Sequence, residues 1–210
     1  FCYTYVMERV RRFWQGNYLQ ILCALYAVIL VAGVSISIVL SDDSHWMSWS
    51  LSRLGESAVN RHSALAFNSS VFMSSMVLIA IGIGMAQSYA RLQQSRAAEL
   101  SAWMVILLAI CMLGVSLCPN DTLHLAHFVF SRSVIAVIIL MMLALPSNFN
   151  YLTHRQRLLS FGFPFFATIL TAQGYILQSF WFVAVEAILA LLAISWLFIV
   201  CRHLDKRLRS

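Results

Sequence analysis

Six long apolar runs, separated by short polar joints, constrain this chain more than any other feature. They fall at about 18–40, 64–90, 100–118, 122–145, 158–176 and 178–201. The hydrocarbon core of a bilayer is about 30 Å thick, so a helix rising 1.5 Å per residue needs about 20 apolar residues to cross it. Lipid offers no water to backbone N–H and C=O groups, and an open chain satisfies them there only as helix. The runs are too long and continuous for the alternating strands of a membrane barrel. Composition agrees: 61% of the residues are hydrophobic and 10% charged, against about 25% charged in a soluble domain. The expected fold is all-α, a polytopic membrane protein with a single six-transmembrane-helix bundle over residues 1–210. Asp42–Asp43, Pro119–Asn120–Asp121, Pro146 and Gly174 are the breakers at its joints.

Charge placement orients the bundle. Eleven of the fourteen Lys and Arg residues lie on one side of this topology. Arg9, Arg11 and Arg12 precede the first run, and Arg91 and Arg96 separate the second from the third. Arg155 and Arg157 separate the fourth from the fifth, and Arg202, Lys206, Arg207 and Arg209 follow the sixth. Arg53 and Arg61 stand on the other side, and Arg132 lies inside the fourth run. The positive-inside bias then predicts both termini in the cytoplasm, N-in/C-in. The formal net charge of +6 follows from this topology and from attraction to anionic headgroups, so no nucleic-acid partner is implied. Trp14, Trp46, Trp49, Trp103, Trp181 and Trp196 fall near predicted helix ends, as an interfacial aromatic belt requires. Cys2, Cys23, Cys111, Cys118 and Cys201 show no disulfide or zinc spacing. They read as buried small hydrophobes, with palmitoylation of Cys2 or Cys201 as the alternative.

Ionisable groups inside membrane helices cost about 2.5–3.5 kcal/mol each at mid-helix and tend to carry function. Arg132 sits about ten residues into the fourth run and Glu186 about eight into the sixth, depths of about 15 and 12 Å. Matching depths predict an ion pair facing the bundle interior, either a device for helix register or the charged floor of a pocket. Further along the fourth helix, Asp121, His124, Ser131 and Arg132 share an arc of about 100°, with His127 beside it. Asp121 reads either as an acid–base group or as an N-terminal anion favoured by the helix dipole. His124 and His127 read as catalytic candidates, as two metal ligands short of a full set, or as hydrogen-bonded interfacial histidines.

The second helix carries Arg61, Asn68, Ser75 and Gly82 at seven-residue spacing, hence on one face. Such a face commonly glues helices together. Were it to meet the fourth helix, Asn68, Asp121, His124 and Arg132 would share one outward-opening cleft. In the first loop, Asp42, Asp43 and His45 read either as a solvated cap or as a weak divalent-metal group. No phosphate-binding loop, serine elbow or His-Glu-x-x-His helix is present, and no pattern names a cofactor. Gly162 and Pro164 interrupt the fifth run, but no second broken helix matches it, as a transporter repeat would require.

Ser52-x-Leu54-Gly55, Phe67–Asn68, and Gly114 followed by Pro119-x-Asp121 with His124 or His127 together resemble a bacterial group. This is the domain-of-unknown-function 998 family, similar to FRAG/DRAM/SFK-type six-helix membrane proteins, and the resemblance spans about residues 20–200. It implies a bacterial cytoplasmic-membrane location and a link to membrane lipid organisation. It also implies a shared site built from Ser52, Gly55, Asn68, Asp121 and one of the two histidines. The expected function is therefore lipid handling or lipid modification in an outward-facing polar cleft. Asp121, His124 and His127 are the candidate catalytic residues; Ser52, Gly55, Asn68, Arg132 and Glu186 are the binding residues, and membrane lipid is the partner. The alternatives are an accessory subunit or scaffold held to a membrane-protein partner, and a small transporter.

Overall fold

The computed structural model describes residues 2–43, 50–94, 96–144, 153–177 and 182–209. Among them six helices follow one another: α1 (Cys2–Val39), α2 (Arg61–Arg91), α3 (Arg96–Leu117), α4 (His124–Ala144), α5 (His154–Leu177) and α6 (Phe182–Arg209). A 3-10 turn, Leu51–Gly55, stands between α1 and α2, and no strand occurs among the described residues. The apolar runs and the helices coincide to within a few residues, except at the far ends of α1 and α6. There polar flanks continue the helical hydrogen bonding beyond the apolar stretch.

Among the described residues, five helices are long and apolar enough to cross a membrane, over Gly16–Val39, Arg61–Arg91, Ala98–Leu117, His124–Leu143 and Val183–Arg209. α5 falls short of that among the described residues, because Gly162, Pro164, Thr168, Thr171 and Gln173 dilute its apolar character. Pro164 nevertheless lies within a continuous helix, and the Thr168 hydroxyl donates to its carbonyl at 2.7 Å. Gly174, expected as a breaker, is also inside α5.

Each helix packs on its neighbours in sequence, and α6 closes the ring against α1. Close approach is set by small residues. Gly33 of α1 lies against Ser70 of α2, and Gly82 of α2 lies against Ala102 and Ile106 of α3, leaving no room for a side chain at either glycine. Of the seven-residue stripe on α2, Gly82 serves helix packing, whereas Arg61 is exposed. The main core joins α1, α2, α3, α4 and α6 through residues such as Tyr26, Leu78, Ile81, Met85, Val105, Met141 and Leu204. A smaller cluster of Ala167, Val185 and Leu189 joins α5 to α6.

Trp196 belongs to that main core and is 1% exposed, so it is not part of an interfacial belt. The indole faces the neighbouring helices, a choice that distance from the helix end does not encode. Trp103 is 61% exposed, and Trp14, Trp46, Trp49 and Trp181 have side chains outside the described set. Cys23, Cys111 and Cys201 are buried, as expected of small hydrophobes, and burial removes Cys201 from the palmitoylation alternative.

The two ends of the bundle differ. At the end where α1 begins and α6 stops, α1 breaks at Asn17 (φ −132°, ψ 20°). A break leaves the following turn's N–H groups without intrahelical acceptors. Asp205 of α6 supplies them: its carboxylate accepts the backbone N–H groups of Leu19 and Gln20, and the Gln20 side-chain amide. At the opposite end lie the loop after α1, the turn between α3 and α4, and the start of α6. This is called the loop end below.

Candidate functional site

The loop end is built on the 3-10 turn. Ser63 of α2 donates to Leu54 O at 3.0 Å, and the Asn68 side-chain amide donates to Gly55 O at 3.0 Å. A Cβ at Gly55 would stand 2.7 Å from Asn68 Oδ1 and 2.9 Å from the Phe67 ring, so glycine is what lets the turn lie this close to α2. Arg53 pairs with Asp43 at 2.5 Å, and Asn60 Oδ1 accepts the Asp43 N–H at 3.1 Å. On its other side the turn reaches α6, where Leu51 N–H donates to Glu186 Oε2 at 2.7 Å.

The turn before α4 is tied to the same loop. Asp121 accepts from the Ser57 hydroxyl at 3.1 Å and from Ala58 N–H at 2.9 Å. Asn120 Nδ2 donates to Glu56 Oε1 at 2.7 Å, which fixes the orientation of that amide. Its Oδ1 therefore faces His124 Nδ1 at 2.7 Å, and this ring nitrogen must be the donor. Glu56, Asn120 and His124 form one oriented chain from carboxylate to imidazole. One turn further on, His127 Nδ1 donates to Cys118 O at 2.8 Å.

Between these elements lies a pocket of about 170 Å³. Ser50 and Ser52 line it from the loop, His124, His127 and Arg132 from α4, and Glu186 from α6. Arg132 is stacked over the Phe128 ring, 5.0 Å from its centroid, which holds the guanidinium at the pocket wall. Arg132 and Glu186 act on each other electrostatically across this space, and the hydrogen bond that orients Glu186 comes from Leu51.

Of the residues singled out in the sequence, Ser52, His124, His127, Arg132 and Glu186 are brought together. Gly55 and Asn68 are bonded to each other beside the pocket without lining it, and Asp121 faces the 57–58 backbone instead. The condition for a cleft shared by α2 and α4 is not met, because α2 packs mainly on α1 and α3. Asp42 is exposed, Asp43 is engaged by Arg53, and His45 lies outside the described residues. No group of three or more His, Cys, Asp or Glu among the described residues is arranged to hold a metal ion. Ser50, Glu56 and Asn120 are the site residues that sequence reasoning missed. Asn120 sits beside Asp121 on the predicted helix entry, and its place there was the one available signal.

Comparison with family models, curated proteins and solved structures finds no match for the chain.

Proposed function

We propose that this chain is a multi-pass membrane protein that binds a phospholipid headgroup in the loop-end pocket, with the phosphate on Arg132. The observation that carries this reading is the convergence of Arg132, Glu186, His124 and His127 on one small pocket beside an apolar surface. On α4, Leu125 is 77% exposed and Val129 53%, a face suited to acyl chains. Arg meets phosphate in a bidentate, charge-assisted geometry, and the low dielectric around the pocket strengthens that contact. A volume of about 170 Å³ is well under the roughly 300–1,000 Å³ of pockets that enclose a whole drug-sized ligand. A headgroup therefore enters while the chains stay outside.

The positive-inside bias puts the basic end in the cytoplasm and this pocket toward the outer leaflet. The oriented His124 adds acid–base capacity should the headgroup be processed as well as held. The resemblance to the domain-of-unknown-function 998 family, with its link to lipid organisation, is part of the same proposal.

Mass spectrometry of lipids retained through gentle detergent extraction tests it. The native chain should carry phospholipid, and Arg132→Ala should lose most of it while keeping its helical circular dichroism. Equal retention by the folded variant would sink the proposal.

A further inference from the structure

His127 is 5% exposed. Its Nδ1 faces the carbonyl of Cys118, which accepts only, so Nδ1 carries a proton, and whenever the ring is neutral Nε2 presents a lone pair. Nε2 is buried and has no hydrogen-bond partner among the described residues, an unfavourable state for a polar atom. His127 lines the pocket together with Arg132 and Glu186. Of the neighbouring hydroxyls, Ser131 donates to Phe128 O, and one of Ser50 and Ser52 donates to the other. The pocket thus brings together a cation, a carboxylate and a buried, unmet acceptor.

A bare phosphate answers only the cation. A quaternary ammonium neutralises Glu186 but has no N–H for His127. A primary ammonium beside a phosphate answers all three groups and leaves the filled pocket electrically neutral, which a low-dielectric site favours. Resting on the lipid reading above, we infer that the pocket selects a zwitterionic phosphoethanolamine-type headgroup. Its phosphate lies on Arg132, and its ammonium faces Glu186 and donates to His127 Nε2.

The test is a methylation series at constant charge. The protein in nanodiscs is titrated with phosphatidylethanolamine, its N-monomethyl and N,N-dimethyl forms, and phosphatidylcholine, whose ammonium groups carry three, two, one and no N–H donors. Affinity should fall across the series, with phosphatidylcholine at least about tenfold weaker, the equivalent of about 1.4 kcal/mol. His127→Phe should flatten the series, and His127→Gln, which keeps an acceptor, should restore part of it.

Equal affinity along the series, or tighter binding of phosphatidylglycerol, overturns the inference even where Arg132→Ala still abolishes binding. Loss of all headgroup dependence in the native chain overturns the lipid reading itself. Soluble phosphoethanolamine is the remaining arm. Weaker binding than the lipid supports a bilayer source, and equal binding keeps the recognition chemistry but overturns the bilayer source. The native series decides the question even if the His127 variants do not fold.

Discussion

The carboxylate of Asp205 accepts the backbone N–H of Gln20 at 2.9 Å, joining residues 185 positions apart in the chain. It does for α1 what an N-cap residue does from within a helix: it gives the first N–H groups after the Asn17 break an acceptor. Asp205→Ala should lower stability by about 1–2 kcal/mol, the range of a lost cap, with Asp205→Asn falling between. Thermal unfolding in detergent reads this directly. An unshifted Tm for the alanine variant would show that water serves these N–H groups equally well.

Two glycines should respond in opposite directions. A Cβ at Gly33 would run into the Ser70 side chain at the α1–α2 contact, whereas one at Gly162 meets nothing within 4 Å among the described residues. Gly33→Ala should therefore destabilise by about 1–3 kcal/mol through overpacking. Gly162→Ala should be neutral or stabilise by up to about 1 kcal/mol, since alanine loses less backbone freedom in a helix. Matched unfolding curves of the two variants check the contrast.

Glu186 should hold the 3-10 turn as well as line the pocket. Glu186→Leu leaves Leu51 N–H without its acceptor, which costs about 1–3 kcal/mol where the group is shielded from water. The turn should then open more often. Thiol labelling of a cysteine placed at Ser52 should speed up in this background and stay slow with Glu186→Gln, whose side-chain oxygen still accepts. Identical labelling rates in both would place the hold on the turn elsewhere, at Asn68 and Ser63.

Asp121 should be separable from the pocket. Its bonds go to exposed groups at Ser57 and Ala58, so Asp121→Ala should change stability by less than about 1 kcal/mol. It should leave lipid retention intact, unlike Arg132→Ala. Retention assays on the two variants side by side decide this. A loss in Asp121→Ala equal to that in Arg132→Ala would return Asp121 to the binding machinery.

Orientation has its own check. Single cysteines at Ser57 and Gln93, in a cysteine-free background, should react with an impermeant maleimide from opposite faces of the membrane, Ser57 from outside. Reaction of Gln93→Cys from outside would invert the bundle and place the pocket in the cytoplasmic leaflet.

The helices were legible because lipid leaves a chain so little choice: about 20 apolar residues in a row have one backbone solution there. The pocket was half legible for a related reason. Arg132 and Glu186 announce themselves by their cost in an apolar run, and equal depths suggested that they meet. What periodicity does not carry is which neighbour a helix face meets. Asn68 and Asp121 were therefore assigned to a cleft between α2 and α4 that the packing order excludes, and Trp196 to a belt although it lies in the core. Loop partners were hidden as well. Nothing local in the sequence says that Glu56 reaches Asn120, or that Ser50 shares a pocket with a histidine on α4. The basic end holds Asp205 as a buried cap, masked in the sequence by the Lys and Arg residues on either side of it.

The closure of α6 on α1 has a consequence for how the chain is made. Helices leave the ribosome in order, so α1 enters the bilayer with the N–H groups after Asn17 still waiting for Asp205, which is made 185 residues after Gln20. α1 is thus completed by a helix that follows four others in the chain. A nascent chain that has not yet made α6 carries an open seam along α1.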